Sequence, residues 1–323
     1  MNNQFPSAGY FDHSGRRDLL SGGVRLIPIS TASGTFKVWT RRVGNNPRIK
    51  VLLLHGGPGG SSDFTAVFDS FFPAAGIEYY HYDQLGSFMS DKPTDPSLWE
   101  IDRFVDEVEQ VRQALGLDAG NFYLWGQSWG GLLALEYAFA HQQHLKGLVI
   151  SNMMASVPAY NAYAEAMFAS HMDPQVLAEL KAMEAADQAL DPRYSELLVE
   201  HHYRQHVVRL PPEDWPDAIQ LAFAHLNTDV YIPMQGPSEL GAKGKLEHWD
   251  RSADLGQIRV PTLTIGATHD TMDPAHMQWM AGQVQQGRYH HCPHGSHCAQ
   301  FDDPQTYFDG LIRFIHDVDT QSQ

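Results

Sequence analysis

Residues 121–141, NFYLWGQSWGGLLALEYAFAH, constrain the fold of this chain more than any other stretch. An apolar, aromatic-rich run of strand character ends at a glycine-rich turn, and a run of Leu, Ala and Glu with helix character follows it. A G-x-S-x-G pattern between a strand and a helix is a tight turn that lifts its serine above the edge of a sheet. Gly126 and Gly130 suit the turn because a Cβ at either would collide with neighbouring backbone. Ser128 is then presented at a helix N-terminus, where the dipole favours developing negative charge, and is the candidate nucleophile.

Such a turn needs a sheet behind it, and the flanking sequence supplies one. VRLIPIS and TFKVWTRRV read as two early strands joined by the turn residues TASG. RIKVLLL is an apolar β-rich run that breaks into glycines and IEYYHYD is another strand, while KGLVISN and VPTLTIG are short, nearly continuous apolar runs of the kind buried on both faces of a parallel sheet. Phe104, Val108, Val111 and Leu115 recur on one face of a helix over 102–116, and a last helix starts near Asp303-Pro304. The alternation of strands and helices over 50–150 and 258–318 predicts an α/β fold with a mostly parallel sheet covered on both sides. Residues 156–246 break the alternation. Rich in Ala, Glu, Leu and His, they read as a mainly helical cap inserted into a core of 1–155 and 247–323, above the carboxyl ends of the strands. With 323 residues, the chain is long enough for a large core and such an insertion.

A serine hydroxyl is a poor nucleophile without a base, and in this architecture the acid and then the histidine follow the serine in chain order. Asp270, just after the strand VPTLTIG, is the preferred acid, with Asp273 as its rival. His297, in the loop HGSHCAQFDDP before the last helix, is the preferred base, with His294 as competitor. HGGPGG at 55–60 follows a strand, and its glycines let backbone N–H groups face a ligand. Gly57 and Trp129 are the expected backbone donors to a tetrahedral oxyanion, each such donor typically worth ~3 kcal/mol of barrier. The motif lacks the Lys-Ser/Thr of a phosphate-binding P-loop.

The run HHCPHGSHC at 290–298 raises a metal reading, in which His294 and Cys298 join His290 or Cys292. It has no paired C-x-x-C or H-x-x-x-H frame, and consecutive strand residues point to opposite faces, so no metal and no cofactor are expected. A Cys292–Cys298 disulfide is possible, but two cysteines do not make a disulfide framework. The N-terminal sequence lacks the basic start and apolar run of a signal peptide, and no stretch approaches the ~18 apolar residues of a membrane helix. A cytoplasmic enzyme is the expectation. The formal charge of −16, from 38 acidic and 22 basic residues, argues against nucleic acid and anionic membranes as partners.

HGGPGG, YDQLGS at 82–87, GQSWGG, GPSEL at 236–240, WD at 249–250 and GSH at 295–297 resemble the proline iminopeptidases (prolyl aminopeptidases) of the α/β-hydrolase superfamily. Related L-amino acid amidases share the pattern, and the resemblance spans roughly residues 22–316. It implies removal of an N-terminal residue, proline by preference, from a small peptide or amide, without metal, beneath a helical cap. It also implies that Glu239, within GPSEL, binds the free α-amino group. Two positions depart from the family pattern. Thr271 stands where some relatives carry a second glutamate, and Ser87-Phe88-Met89 replaces a cysteine–glycine pair. Trp129, Tyr203, Trp215 and Tyr231 could line an apolar pocket, but core or cap packing is the expectation for each and none is assigned to a pocket. An amino acid amidase or arylamidase is the nearest alternative. A carboxylesterase and a hydrolase-fold binding protein without catalysis are more distant ones.

Overall fold

The computed structural model describes residues 7–321. Eight strands form one sheet: β1 (Val24–Thr31), β2 (Gly34–Val43), β3 (Lys50–Leu54), β4 (Glu78–Asp83), β5 (Phe122–Gln127), β6 (Gly147–Ser151), β7 (Thr262–Ala267) and β8 (Gly287–Cys292). Their spatial order is β1-β2-β4-β3-β5-β6-β7-β8. The hairpin β1–β2 pairs antiparallel to β4, and every pair from β4 to β8 is parallel. The expected α/β architecture, with helices on both faces of a mostly parallel sheet, is present.

The continuous apolar runs are explained by burial on two sides. Along β3, Leu52 and Leu54 join one core, with Leu124, Leu148 and Ile150 and the helices Ile101–Leu115 and Trp129–His141. Val51 and Leu53 face the other, with Trp125, Val149 and Ile265 under the helix Pro304–Gln321. The period of two along a strand thus feeds two hydrophobic layers, and no polar face is left to alternate. The helix Ile101–Leu115 ends where Gly116 adopts a left-handed φ of 68°, and its amide caps the carbonyls of Arg112 and Gln113.

Between β6 and β7 the chain runs through the helices Val157–His171, Pro174–Ala185, Pro192–Leu198, Asp217–Ala224 and Thr228–Met234. Asp173 and Asp191 cap two of them through their side chains, each followed by proline at the first helical position. The two ends of this insertion lie side by side. Ser156 and Asp250 form a β-bridge, Val157 N–H donates to Trp249 O at 2.8 Å, and Arg251 N–H donates to Ala155 O at 2.8 Å. Farther out, the insertion is fastened to the loops at the carboxyl edge of the sheet. His297 N–H donates to His206 O at 3.0 Å, Cys298 N–H to Val207 O at 2.9 Å, and Asn227 N–H to Gly59 O at 2.9 Å. No helix among the described residues is long and apolar enough to cross a membrane.

Candidate active site

Ser128 stands between β5 and the helix Trp129–His141 with φ 56° and ψ −126°, a conformation that costs a residue bearing a Cβ about 1–3 kcal/mol. The surrounding glycines make that turn sterically accessible. A Cβ on Gly126 would lie 1.9 Å from Gly130 O, and one on Gly130 would lie 2.1 Å from Leu54 O. The crossing of β3, β5 and the helix is therefore too close for any side chain at either position.

His297 and Asp270 come from loops after β8 and β7, 27 residues apart in sequence, and meet with Nδ1 2.7 Å from Oδ1. A carboxylate only accepts, so Nδ1 carries the proton and Nε2 keeps its lone pair. Asp270 is fully buried and also accepts from Asn152 Nδ2 at 2.7 Å and Met272 N–H at 3.1 Å. Burial by itself would lower the basicity of the His297 ring. The charge and hydrogen bond of Asp270, with Glu239 and Asp302 farther off, outweigh it and hold the imidazole above its ordinary value. Thr271 is buried here, its hydroxyl 3.4 Å from both Asp270 Oδ1 and His297 Nδ1. It braces the pair instead of facing a ligand.

Ser128, His297, Gly57 and Glu239 line a single cavity of about 510 Å³. The Ser128 hydroxyl and the imidazole share its wall without a direct hydrogen bond among the described residues, a separation common in hydrolases without substrate. The amides of Gly57 and Trp129 donate to no protein acceptor among the described residues. The loop carrying Gly57 is fixed from behind. His55 is buried, which depresses its basicity; its Nδ1 donates to Gly56 O at 2.8 Å, and its Nε2 accepts from Gln84 N–H at 3.2 Å. Gln84 in turn accepts from the indole of Trp129 at 2.8 Å, and Ser87 lies 3.2 Å from His55 Nε2. Ser87 thus belongs to this support, while Phe88 stacks on His225 with centroids 3.5 Å apart.

Glu239 accepts from the Tyr231 hydroxyl through Oε1 at 2.6 Å, and its backbone carbonyl accepts from Tyr160 at 3.0 Å. Among the described residues no Lys, Arg or His pairs with its carboxylate, so a single negative charge faces the cavity. Tyr203, Trp215 and Tyr231 line the same space, whereas Trp129 packs edge-on against Phe104 at 5.2 Å. The rivals have other work. Asp273 caps the helix Pro274–Gln283 by accepting from Ala275 N–H at 2.9 Å, and the His294 backbone donates to Asp303 at 3.1 Å.

The histidine-rich run disperses. His290 reaches Thr306 O at 2.8 Å, His291 lies between Thr268 and Tyr289, and Cys292 and Cys298 are buried free thiols. Among the described residues, one trio of ligand-type side chains comes together: Glu109, His141 and His144, none of them from this run. The Glu109 carboxylate there is already occupied by Arg112, Gln113 and Tyr137.

Asn152 was not legible as a site residue. It follows β6 with φ 51° and heads a buried chain of hydrogen bonds. The Trp125 indole donates to Tyr307 at 2.9 Å, Tyr307 lies 2.8 Å from Ser151 Oγ, Ser151 donates to Asn152 Oδ1 at 2.7 Å, and Asn152 donates to Asp270. Its only sequence signal is its position directly after an apolar strand, at the carboxyl edge where ligands bind in such sheets.

Residues 50–304 match the family model of the alpha/beta hydrolase fold. The chain is 54% identical over 299 residues to a proline iminopeptidase of Elizabethkingia meningoseptica, covering 92% of this chain and 99% of the relative. It is 51% identical over 296 residues to one of Flavobacterium johnsoniae, with 92% and 99% covered. Among solved structures, the proline iminopeptidase of Mycobacterium smegmatis superposes with a TM-score of 0.81 at 28% identity, covering 93% of this chain and 100% of that one. VinJ superposes at 0.83 and 29% identity, with 91% and 99% covered.

Proposed function

This chain belongs to the proline iminopeptidases of the α/β-hydrolase superfamily, and we propose that Ser128, His297 and Asp270 are the groups with which it cleaves N-terminal proline from peptides or amides. The supporting observation is the convergence on one cavity of a strained serine, an imidazole bonded to a buried carboxylate, and Gly57, whose amide, like that of Trp129 next to the serine, has no protein acceptor among the described residues.

In this mechanism Nε2 of His297 takes the Ser128 proton as Oγ attacks the prolyl carbonyl. Asp270 holds the ring's other proton and stabilises the imidazolium. Negative charge on the carbonyl oxygen is received by the N–H groups of Gly57 and Trp129, which lose no protein partner in doing so. The tetrahedral species collapses as the C–N bond breaks and His297 passes its proton to the leaving amine. Water then attacks the prolyl ester, giving its proton to His297. Free proline departs as Ser128 regains a proton from the imidazolium. Asn152 and Thr271 act as positioning residues for the acid. Glu239 binds the imino group of the substrate as its ammonium, which sets the carbonyl over Ser128 and excludes blocked N-termini.

Residues 156–246 act as a cap on a core of 1–155 and 247–323, and the substrates are small peptides or amides. The two free thiols fit a reducing, cytoplasmic setting, and the charge of −16 fits a protein without nucleic-acid or membrane partners. The relatives favour this specificity over a broader amino acid amidase.

A fluorophosphonate probe combined with a substrate pair tests the reading. The probe is expected on Ser128, and a prolyl arylamide is expected to be cleaved about 10²-fold faster than its acetyl-prolyl counterpart, as for a lost buried charge partner. Absence of label on Ser128, or equal turnover of the two, contradicts it.

A further inference from the structure

The cavity beside Ser128 has more room than a proline ring fills, and the surplus has a definite chemistry. About 510 Å³ lies within the range of pockets that enclose whole drug-sized ligands, so a proline ring leaves room in it for the group beyond the scissile bond. Phe64, Leu198, Trp215, Phe223 and Leu226 are among the walls of this cavity. Three of the polar side chains among the walls are committed elsewhere. Tyr194 donates to Glu184 at 2.6 Å, Gln220 to Trp215 O at 2.9 Å, and Gln127 to His297 O at 3.0 Å. Among the described residues no Lys or Arg lines the cavity, and Glu239 is its one carboxylate.

We propose that this site selects substrates whose leaving group is uncharged and apolar next to the scissile bond: peptides of three or more residues with an apolar second residue, or amides of such dipeptides, in preference to free dipeptides. The proposal rests on the reading of Ser128 and Glu239 given above. In a free dipeptide the carboxylate is carried by the carbon bonded to the scissile nitrogen, so it must enter wherever the leaving group enters. There it would lose water and gain no cation, a far greater cost than for a neutral amide. It would also sit in one cavity with Glu239, and near Asp270 behind the imidazole, both of its own sign. An apolar side chain at that position, by contrast, meets a cavity lined mainly by apolar and aromatic side chains.

The test compares kcat/KM for prolyl-phenylalaninamide, prolyl-phenylalanine and prolyl-glycinamide on the intact protein. The phenylalaninamide is expected to exceed each of the others by about tenfold or more. Leu190 lines the cavity and is 71% exposed, so it tolerates a lysine. Leu190→Lys is expected to narrow the gap in kcat/KM between free acid and amide, because it places a cation at the cavity wall. Cleavage of the free acid within about threefold of its amide overturns the inference while the exopeptidase reading stands. If none of the prolyl compounds is cleaved although the fluorophosphonate still labels Ser128, the exopeptidase reading falls and this inference falls with it.

Discussion

Ser128, Asp270 and His297 hang from the carboxyl ends of parallel strands, whereas Glu239 and most of the aromatic walls come from the insertion between β6 and β7. The two sides of the cavity are held differently. On the strand side, backbone does the positioning: crossings at Gly126 and Gly130 that leave no room for a Cβ fix the turn at Ser128, and Asp270 is gripped by a backbone amide and the buried Asn152. On the insertion side, side chains hold side chains, as in the Tyr231–Glu239 bond at 2.6 Å, and helices pack through Trp215, Phe223 and Tyr203. In the mechanism proposed here, the strand side would carry the chemistry and the insertion would decide what is admitted to it.

Substitutions can separate the two. Ser128→Ala is the largest break. Turnover of prolyl arylamide is expected to fall by about 10⁴-fold or more, with binding of prolinamide retained in calorimetry. Loss of both together would mean that the two sides are not independent. Glu239→Gln strikes the other side. It is expected to cost about 10²-fold in kcat/KM, mostly through KM, for substrates with a free imino group, and little for acetylated ones. A pure kcat effect would move Glu239 into the chemistry.

The smallest effect concerns Asn152 and is read from pH. In the proposed mechanism His297 must be unprotonated to act as base, and its affinity for protons is raised by Asp270. Activity is thus lost as pH falls, with an acid limb of kcat/KM above the ordinary imidazole value of about 6.5. Stability runs in the opposite sense. The protonated pair's contribution is fully present below the unfolded value of about 6.5 and is lost as pH rises through the folded one. Asn152→Ala removes a donor that disperses the Asp270 charge, so the acid limb is expected to move to higher pH, with about a tenfold fall in kcat and little change in KM. An unmoved limb would reduce Asn152 to a packing role.

The same division explains what could be read from the sequence. GQSWGG and HGGPGG are legible because strand, turn and helix signals surround them, and a turn that admits only glycine leaves its mark in consecutive residues. That the strands form a mostly parallel sheet follows from apolar runs alternating with helical ones, whereas their spatial order does not. Asp270 and Asp273 stay ambiguous at that level because an aspartate before proline is also a helix cap, which is what Asp273 turns out to be. Asn152, the His55–Gln84–Ser87 support and the aromatic walls have no such signature. Asn152 and Asp270 are 118 positions apart, so their contact exists only once the sheet is assembled. The assignment of Glu239 came from the resemblance of GPSEL, since a lone glutamate in a helical insertion is otherwise a solvated residue.

The stitched base of the insertion, where Ser156 meets Asp250 and Val157 meets Trp249, gives the lid a modular character. Its two stems emerge from one spot, so whatever polypeptide is strung between them begins with its ends already joined, and each doubling of its length adds only about 0.6 kcal/mol of closure entropy. A graft taken from another hydrolase need reproduce only the stems and the tethers that Val207 and Asn227 make to the rim. Appetite for new substrates can then be exchanged as a cassette, with the engine beneath left as it is.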